Sequence, residues 1–424
     1  MPRWFWLASI VASLTVNLAL PVSAQTANSP VTWRKTVIEQ GFRSEGVAVA
    51  DVNKDDRLDL LIGDAWYEAP SWKKHEIRKA GNYGDGLRSY SECMMCWADD
   101  VNHDGWVDQI VIGFPGKPAR WYENPKGKDG HWPEYEISQS ACNETPLYLD
   151  LFQNGKRVLI MGAQPVGKDN EGQMFWFSPG TDPRLPWEKH AISEPSQPKK
   201  PVPGTQRFAH GLGVGDLNRD GRLDVICTGG WWEQPSEGRD AKSPWRFHRD
   251  NLGDAVADIV ALDVNQDGLP DLINSSAHRF GIWWYEQVKA EDGGIAFKKH
   301  DLFPNLVSET HALIAIDING DGHKDFVTGK RFWSHGRHEA GSDQPARLYW
   351  FEAQPKANAA TVFVPREIDD QSGIGTQFEV RDFNGDQLPD IITANKKGVF
   401  LFEQVGTVGS TKSVSTQPLA NPTK

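Results

Sequence analysis

Short apolar runs alternate with acidic loops along the chain, and this arrangement repeats from one end to the other. Seven times, an apolar run enters a loop of nine residues and a second apolar run leaves it. Six of the loops keep the pattern D-x-N-x-D-x-x-x-D, and the seventh, which begins at Asp150, has lost most of it. A unit repeated in this way indicates one supersecondary element copied around or along an axis.

Each repeat contains short segments that are rich in β-branched and aromatic residues and separated by turn residues, which predicts β-strands. In the first repeat the four segments are residues 46–50, 60–63, 66–70 and 72–77. Four strands in a unit of roughly 50 residues are typical of a propeller blade. We therefore predict an all-β fold, a seven-bladed β-propeller that occupies residues 31–405.

The two ends of the repeat array complement each other. One copy of the fourth segment lies at the N-terminal end, at residues 33–38, whereas the last repeat stops after its third segment near Phe402. We expect the N-terminal strand to complete the last blade, because pairing both ends closes the ring and covers its sheet edges. An open solenoid is the alternative architecture. A dockerin-like helical unit is disfavoured, because strand-type segments follow the acidic loops.

The terminal segments differ in composition from the repeats. Residues 1–24 combine Arg3, an apolar run and a small-residue cleavage site, which is typical of a signal peptide. We expect an exported protein, periplasmic or extracellular. No later apolar run approaches the roughly 20 residues of a membrane span. The tail, residues 406–424, is rich in Ser, Thr and Pro and is predicted to be disordered.

The net charge is −12, which disfavours nucleic acid and anionic membranes as partners. Much of that charge lies in the acidic loops. In the loop that begins at Asp100, side-chain oxygens at positions 1, 3, 5 and 9, with the carbonyl of position 7, are suited to surround a hard cation such as Ca²⁺.

We predict about six calcium sites with a structural role, and plain polar turns are the alternative. Two loops lack the turn glycine at position 6 and carry Asp56 or Gln387 there. The predicted ligands are Asp51, Asn53, Asp55, Asp59, Asp100, Asn102, Asp104, Asp108, Asp216, Asn218, Asp220, Asp224, Asp263, Asn265, Asp267, Asp271, Asp317, Asn319, Asp321, Asp325, Asp382, Asn384, Asp386 and Asp390.

The chain contains four cysteines. Cys93 and Cys96 have C-x-x-C spacing, but no second such pair is present to complete a zinc site. We expect a structural disulfide from Cys93 or Cys96 to Cys142, since export permits one. Cys227 lies within a strand pattern and is predicted to be a core residue.

The end of the channel opposite the acidic loops, here called the upper face, carries a second set of polar residues. The inner strand of each blade runs towards its acidic loop, so the residue six positions before the first Asp lies at the upper face. Those positions hold Glu45, Met94, Glu144, His210, Ala257, His311 and Thr376. His and carboxylate together suit a transition metal in the central channel, or acid–base chemistry. Solvated residues around a pore are the alternative.

The loops after the second strands also reach the upper face. The segment 329–338, which includes Lys330 and Arg331, is the least repeat-like insertion in the chain. A longer loop on a rigid scaffold is a frequent location of functional residues.

The D-x-N-x-D-G-x-x-D loops make residues 31–404 resemble the FG-GAP/VCBS repeat family, the propeller type of integrin alpha headpieces and many exported bacterial proteins. The resemblance implies calcium at the lower face and ligands at the upper face. The W-Y-E and W-x-K-H-x-I segments and the upper His and Glu residues are also similar to the propeller of aldos-2-ulose dehydratases, although the cupin-like domains of that family find no counterpart in this sequence.

Two functions are consistent with these patterns. The first is a binding module that presents its upper face to a protein or glycan. The second is a metal-assisted lyase or dehydratase acting on a carbohydrate at the mouth of the channel. In the second, Glu45, Glu144, His210 and His311 are metal ligands or acid–base groups, and Lys330 and Arg331 stabilise the developing anion.

Overall fold

A computed structural model describes residues 31–168, 170–242, 244–357 and 359–406. Residues Thr32–Val405 form one compact unit. The predicted signal peptide and residues 407–424 of the predicted tail lie outside the described residues.

The regular secondary structure of the described residues is almost entirely β-strand, with one 3-10 turn at Gly238–Asp240. The strands, in chain order, are β1 (Thr32–Glu39), β2 (Ala48–Ala50), β3 (Asp59–Leu61), β4 (Ala65–Glu68), β5 (Lys73–Glu76), β6 (Met95–Asp99), β7 (Asp108–Ile112), β8 (Ala119–Tyr122), β9 (Glu134–Ser138), β10 (Leu147–Leu149), β11 (Val158–Ala163), β12 (Gln173–Ser178), β13 (Glu188–Ala191), β14 (Leu212–Gly215), β15 (Asp224–Cys227), β16 (Gly230–Glu233), β17 (Arg246–Arg249), β18 (Ile259–Leu262), β19 (Asp271–Ser275), β20 (Ile282–Lys289), β21 (Ile295–Asp301), β22 (Leu313–Ile316), β23 (Asp325–Gly329), β24 (Leu348–Lys356), β25 (Ala359–Asp369), β26 (Phe378–Arg381), β27 (Asp390–Asn395) and β28 (Gly398–Val405).

These strands form a β-propeller arrangement of antiparallel sheets. Four sheets have four consecutive strands each, β2 to β5, β6 to β9, β10 to β13 and β22 to β25. A fifth has the order β1-β28-β27-β26. The remaining eight strands form one sheet in the order β17-β16-β15-β14-β18-β19-β20-β21.

The sheet count therefore differs from the seven separate four-stranded sheets that the sequence predicted. The inner strands β14 and β18 pair in parallel, with Gly213 opposite Ile259 and Val214 opposite Val260. Gly213 permits this close approach, because a Cβ atom there would lie 2.0 Å from the carbonyl oxygen of Ile259. The join converts two sets of four strands into one continuous sheet.

The N-terminal strand pairs with the C-terminal end of the repeat array, as the sequence predicted. Strand β1 is antiparallel to β28, with a register that begins at Thr32 opposite Val405 and ends at Glu39 opposite Val399. Arg34 and Glu403 form a cross-strand ion pair on this sheet. Both ends of the repeat array therefore lie in one four-stranded sheet.

The core consists of apolar layers between neighbouring sheets. One cluster joins Ile110 and Trp121 of one sheet to Leu159 and Phe177 of the next, and all four are buried. Several third-strand Trp side chains stack on a His of the fourth strand, such as Trp176 on His190 at a centroid distance of 3.7 Å. The repeated Trp positions therefore stabilise the sheets.

The predicted disulfide is wrong. Cys93, Cys96, Cys142 and Cys227 are all buried, and none of them forms a disulfide. Cys93 and Cys96 lie in an apolar cluster with Leu61, whereas the Sγ of Cys142 lies 3.4 Å from Oε1 of Gln164. Cys227 is a core residue, and burial raises the pKa of its thiol to about 12.

Among the residues that the structure describes, no helix has the length and apolarity needed to cross a membrane.

Candidate functional site

The acidic loops share one hydrogen-bond network. In the loop of Asp100, its Oδ1 accepts the N–H of Asp104 at 3.0 Å and its Oδ2 accepts the N–H of Gly105 at 2.8 Å. Asn102 Oδ1 also accepts from the N–H of Asp104 at 3.0 Å. The network recurs in the other five intact loops. It turns the side-chain oxygens inward, and each oxygen keeps acceptor capacity for a further partner.

The last aspartate of each intact loop has an additional role that the sequence did not reveal. Asp108 is fully buried, and its two oxygens accept the N–H groups of Val101 at 3.0 Å and Asn124 at 2.8 Å. Burial raises the pKa of Asp108 to about 7. The same pair of backbone bonds recurs at Asp59, Asp224, Asp271, Asp325 and Asp390.

The two loops without glycine at position 6 adopt the same turn at a conformational cost. Gly105 has a φ of 83° at that position, and Asp56 and Gln387 have φ values of 66° and 69°. Non-glycine residues rarely adopt this left-handed region. The expected strain at these two turns is therefore present.

At the upper face, Glu144, His210 and His311 converge. The Nε2 atoms of His210 and His311 lie 3.4 and 4.0 Å from Oε2 of Glu144. Each of the three residues precedes the inner strand of its sheet, β10, β14 or β22. The equivalent position before β18 holds Ala257, whose small buried side chain leaves room for the two imidazoles to approach.

The orientation of the two imidazoles is set by the backbone. Nδ1 of His210 lies 2.8 Å from the carbonyl oxygen of Phe208, and Nδ1 of His311 lies 3.3 Å from that of Glu309. Each Nδ1 therefore carries the proton and donates to the carbonyl. Both Nε2 atoms are buried and make no hydrogen bond. A backbone carbonyl on one ring nitrogen and a free lone pair on the other is the arrangement found in metal-ligating histidines.

Electrostatics keep Glu144 ionised and His311 neutral. Burial alone would raise the pKa of Glu144, but the charge and hydrogen bond of a protonated His210, together with the charge of Arg331, lower that pKa to about 2. A metal ion at Glu144 would take the place of that His210 proton. Burial, reinforced by Arg331, holds the pKa of His311 well below its ordinary value. An ionised carboxylate and a neutral imidazole are the protonation states that a metal ion requires of its ligands.

Arg331 links two of the predicted ring carboxylates. Its Nε donates to Oε1 of Glu45 at 3.0 Å, and its Nη1 lies 3.5 Å from Oε2 of Glu144. Arg331 and Glu45 are fully buried. Arg331 therefore balances two carboxylates, so its charge is not displayed to solvent.

Other members of the predicted set lie apart from this cluster. Lys330 forms an ion pair with buried Glu309 at 3.2 Å, so it does not face Glu144. Thr376 Oγ1 donates to the carbonyl oxygen of Met94. The side chains of Lys330 and Thr376 therefore have a structural role at the upper face.

A second group, His278, His335 and Glu339, lies beside the first. The ring centroids of His278 and His210 are 4.8 Å apart. Glu339 is not among the residues predicted from the sequence, although its spacing of four residues from His335 in the irregular loop was an available signal.

A basic cavity adjoins these groups. It has a volume of about 660 Å³, and its walls include Arg88, Lys117, Tyr90, Phe114 and two ion pairs, Arg78 with Glu92 and Arg120 with Glu134. Tyr90 connects it to the cluster, since its ring lies 6.4 Å from that of His335 and 5.6 Å from the guanidinium of Arg331. Among the described residues, neither Arg88 nor Lys117 forms an ion pair.

Comparisons with known proteins agree with the fold. Residues 263–328 match the FG-GAP-like repeat family. No curated protein is significantly similar to the chain. The matched residues run from the loop of Asp263 to strand β23, and so include two acidic loops.

Several solved structures are similar to the chain at low identity and low TM-score. BBS1N in complex with ARL6DN is 10% identical, with a TM-score of 0.46 over 89% of this chain and 98% of that chain. The biofilm matrix protein Bap1 of V. cholerae is 14% identical, with a TM-score of 0.32 over 66% of this chain and only 40% of Bap1.

A lectin of Agrocybe aegerita that recognises non-reducing terminal N-acetylglucosamine is 14% identical, with a TM-score of 0.43 over 80% of this chain and 81% of the lectin. These values are too low to bear on function. The chain is an all-β protein with a β-propeller arrangement, and its residues 263–328 form an FG-GAP-like repeat.

Proposed function

We propose that the chain is an exported, calcium-stabilised seven-bladed propeller whose upper face binds an acidic carbohydrate at a transition-metal ion held by Glu144, His210 and His311. The observation that carries the proposal is the pair of buried, unpartnered Nε2 atoms aimed at one carboxylate oxygen. Export is supported by the leader-like pattern of residues 1–24.

The proposal of seven blades is supported by the pairing inside the eight-stranded sheet. Strands β14 to β17 are consecutive and antiparallel, and so are β18 to β21. Each set has the same number and order of strands as the other blades. Only two pairs of residues join β14 to β18, so this contact is local and lies between neighbouring sets.

The chemistry of the donor atoms favours a first-row divalent transition metal over calcium at Glu144. Imidazole nitrogens suit Zn²⁺ or Fe²⁺, and the carboxylate also suits Mn²⁺, whereas Ca²⁺ takes only oxygen ligands. Two histidines and one carboxylate leave open coordination positions, which is typical of metal sites that contact a ligand. An ion there would also satisfy two buried nitrogens that otherwise lack partners, an arrangement that costs folding free energy.

Calcium in the acidic loops is supported by their inward-facing oxygens. In each intact loop, two carboxylates and one amide near its entrance crowd around one turn, as at Asp100, Asn102 and Asp104. A divalent cation relieves the repulsion between these carboxylates. Exported modules typically bind Ca²⁺ with dissociation constants of about 10⁻⁴ to 10⁻³ M.

The class of ligand is supported by the cavity beside the cluster. Among the described residues Arg88 and Lys117 form no ion pair, whereas the two wall carboxylates, Glu92 and Glu134, are already paired with Arg78 and Arg120. Tyr90 and Phe114 supply aromatic surface, with ring centroids 5.0 Å apart. Sugar rings pack on aromatic faces and carboxylates pair with guanidinium groups. A sugar that carries a carboxylate matches both features.

A second candidate function is metal-assisted elimination from such a sugar. It is favoured by His278 and His335, whose side chains are 29% and 35% exposed beside the proposed metal ligands. In a lyase or dehydratase, a base removes the proton next to a carboxylate or carbonyl group, and an acid protonates the departing oxygen. Two accessible imidazoles are suited to these two transfers when neither of them is bound to a metal ion.

The proposal is tested by elemental analysis of purified protein and of the variant His210→Ala/His311→Ala. We expect calcium in both samples and a transition metal that the variant loses. The control is His190→Ala/His248→Ala, which removes two imidazoles stacked on core Trp residues away from the upper face. Calcium alone in the wild-type protein, after exposure to Zn²⁺ and Mn²⁺, would refute the transition-metal site.

Ligand class is tested by calorimetric titration with an oligogalacturonate and with a neutral oligosaccharide of the same length. We expect binding of the acidic oligomer that weakens at least tenfold in Arg88→Ala/Lys117→Ala. The control Lys199→Ala/Lys200→Ala removes the same charge from an exposed loop and should bind normally. Equal affinity for both oligomers would refute an acidic ligand, and release of unsaturated products would favour the lyase.

A further inference from the structure

We infer that His278, His335 and Glu339 form a second metal site, so that the upper face holds two neighbouring metal ions. The dinuclear arrangement rests on the proposed inner site at Glu144, His210 and His311. The outer site itself rests on a separate set of side chains.

The donor atoms of the outer group are closely spaced. Nδ1 of His278 lies 2.6 Å from Oε1 of Glu339, and Nδ1 of His335 lies 2.8 Å from the same oxygen. The two Nδ1 atoms are 3.1 Å apart. Three donors at these separations can all bond to one ion at about 2.0 to 2.2 Å, with the ion above their plane. A small relaxation outward gives the usual spacing of such ligands.

The stacked rings show that the spacing is a feature of packing. The imidazoles of His278 and His335 stack at a centroid distance of 4.5 Å and an angle of 26°. Stacking turns both Nδ1 atoms to the same side, towards one carboxylate oxygen. A metal ion at that point accepts a lone pair from both Nδ1 atoms and from Oε1 of Glu339. A single proton can bridge only two of these three atoms.

Glu339 is held in place by a supporting layer of hydroxyl groups. Ser334 Oγ donates to Oε2 of Glu339 at 2.9 Å, and Ser342 Oγ accepts the N–H of Glu339 at 3.1 Å. Both serines are buried. One oxygen of the carboxylate is thus fixed by the protein and the other is presented to the two imidazoles, as in the supporting shells of metal centres.

The two groups are close enough to act together. The ring of His278 lies 4.8 Å from that of His210 and 5.8 Å from that of His311, and His335 lies 6.3 Å from His311. Metal ions in paired centres are typically about 3.5 to 4 Å apart. Adjacent rings from the two groups are therefore compatible with a paired centre.

The two sites differ in access to solvent. The inner ligands are buried, whereas the side chains of His278, His335 and Glu339 are 29%, 35% and 16% exposed. An ion in the outer site therefore keeps coordination positions that face the solvent and the ring of Tyr90, which lines the basic cavity. The outer ion, of the class Zn²⁺ or Mn²⁺, is the one positioned to bind a carboxylate or hydroxyl oxygen of the ligand.

The experiment counts ions in the full chain after chelation, reloading with Zn²⁺ and dialysis into calcium. We expect two zinc equivalents for the wild-type protein, and one each for His335→Ala, Glu339→Gln and His210→Ala/His311→Ala. His338→Ala, an exposed histidine of the same loop, is the matched control and should keep two. Circular dichroism verifies folding, and Glu339→Gln serves if the histidine variant does not fold.

The possible results separate the two proposals. If the outer variants keep the wild-type zinc content, the second site is wrong, whatever the inner variant does. If His210→Ala/His311→Ala alone keeps the wild-type zinc content, the inner site does not bind zinc. The outer site then holds a single ion, and the dinuclear arrangement is wrong. Electron paramagnetic resonance of the Mn²⁺-loaded protein adds a distance test. We expect a spin-coupled spectrum that becomes uncoupled in Glu339→Gln, and two uncoupled ions in the wild type would overturn the pair.

Discussion

Arg331 and Glu45 are 286 residues apart in the chain and form a fully buried ion pair at the upper face. Arg331 follows strand β23 and Glu45 precedes strand β2, so the pair joins two different sheets. Since Nη1 of Arg331 also lies 3.5 Å from Glu144, one guanidinium neutralises two buried carboxylates.

Removal of Arg331 is expected to destabilise the whole propeller. Loss of one partner of a buried pair typically costs about 3 to 5 kcal/mol, because the remaining charge stays buried without compensation. We expect Arg331→Met to lower the free energy of unfolding by this amount in a urea titration. The control is Arg34→Ala, which breaks an exposed cross-strand pair with Glu403 and should change stability little. Equal effects of the two changes would contradict the structural role of Arg331.

Chelation is expected to destabilise the acidic loops. At about 10 mM Ca²⁺ and the affinities typical of exported modules, each occupied loop adds about 1 to 3 kcal/mol to the free energy of unfolding. We expect the melting temperature to fall in EDTA and to recover with Ca²⁺ but not with Mg²⁺. An unchanged melting temperature in EDTA would contradict structural calcium.

A single-loop variant localises that effect. Asp220→Asn removes a predicted ligand of one loop. It should reduce the calcium-dependent gain in the free energy of unfolding by about the contribution of that one loop. Asp240→Asn, in the 3-10 turn outside the loops, is the control and should leave the gain intact.

The last aspartate of each loop is expected to matter even without metal. Asp271 is buried and accepts the N–H groups of Val264 and Gln287, whereas Asp267 in the same loop is exposed. An unsatisfied buried donor costs about 1 to 3 kcal/mol. In EDTA, we therefore expect Asp271→Ala to destabilise the protein by about 2 to 4 kcal/mol and Asp267→Ala by clearly less. Similar losses in EDTA would contradict the added contribution of the two backbone hydrogen bonds of Asp271.

A half-buried carboxylate in the channel, Asp258, predicts a pH dependence of stability. Burial raises the pKa of Asp258 to about 7, and the N–H of Leu313 opposes this only in part. The folded state therefore holds this proton more tightly than the unfolded state. Its contribution to stability is full below about pH 4 and is lost as the pH rises towards 7.

We expect Asp258→Asn to flatten this part of the stability profile and to raise stability at pH 8 relative to the wild type. Asp254→Asn, at an exposed position four residues earlier, is the control and should keep the slope. A slope unaffected by Asp258→Asn would assign the proton uptake to another group, such as Glu379, whose pKa burial also raises to about 7.

The structural features that could be predicted from the sequence are those that a short run of residues encodes. Apolar runs around the acidic loops located the strands, and the displaced segment at residues 33–38 revealed the pairing of β1 with β28. The convergence of Glu144, His210 and His311 could also be anticipated, because equivalent positions on inner strands must meet at one end of a channel.

The features missed depend on contacts between distant residues. The parallel pairing of β14 and β18 depends on the missing side chain of Gly213, which no periodicity reveals. The cysteine pairing failed because spacing does not show which way a thiol points, and Cys142 faces Gln164. Lys330 and Glu339 lie in an irregular loop, so their partners follow from its folding and not from the repeat.

The pairing of Thr32 with Val405 spans 373 residues and has a consequence for the order of folding. Sheets built from consecutive strands can form as soon as their own residues are available. The sheet that contains β1 cannot, because it needs the first strand and the last three. Contacts so distant in sequence are slow to form, since they close a very large loop. Ring closure is therefore expected to be the final step of folding, and a chain that loses β28 would keep most of its sheets yet leave two of their edges open to aggregation.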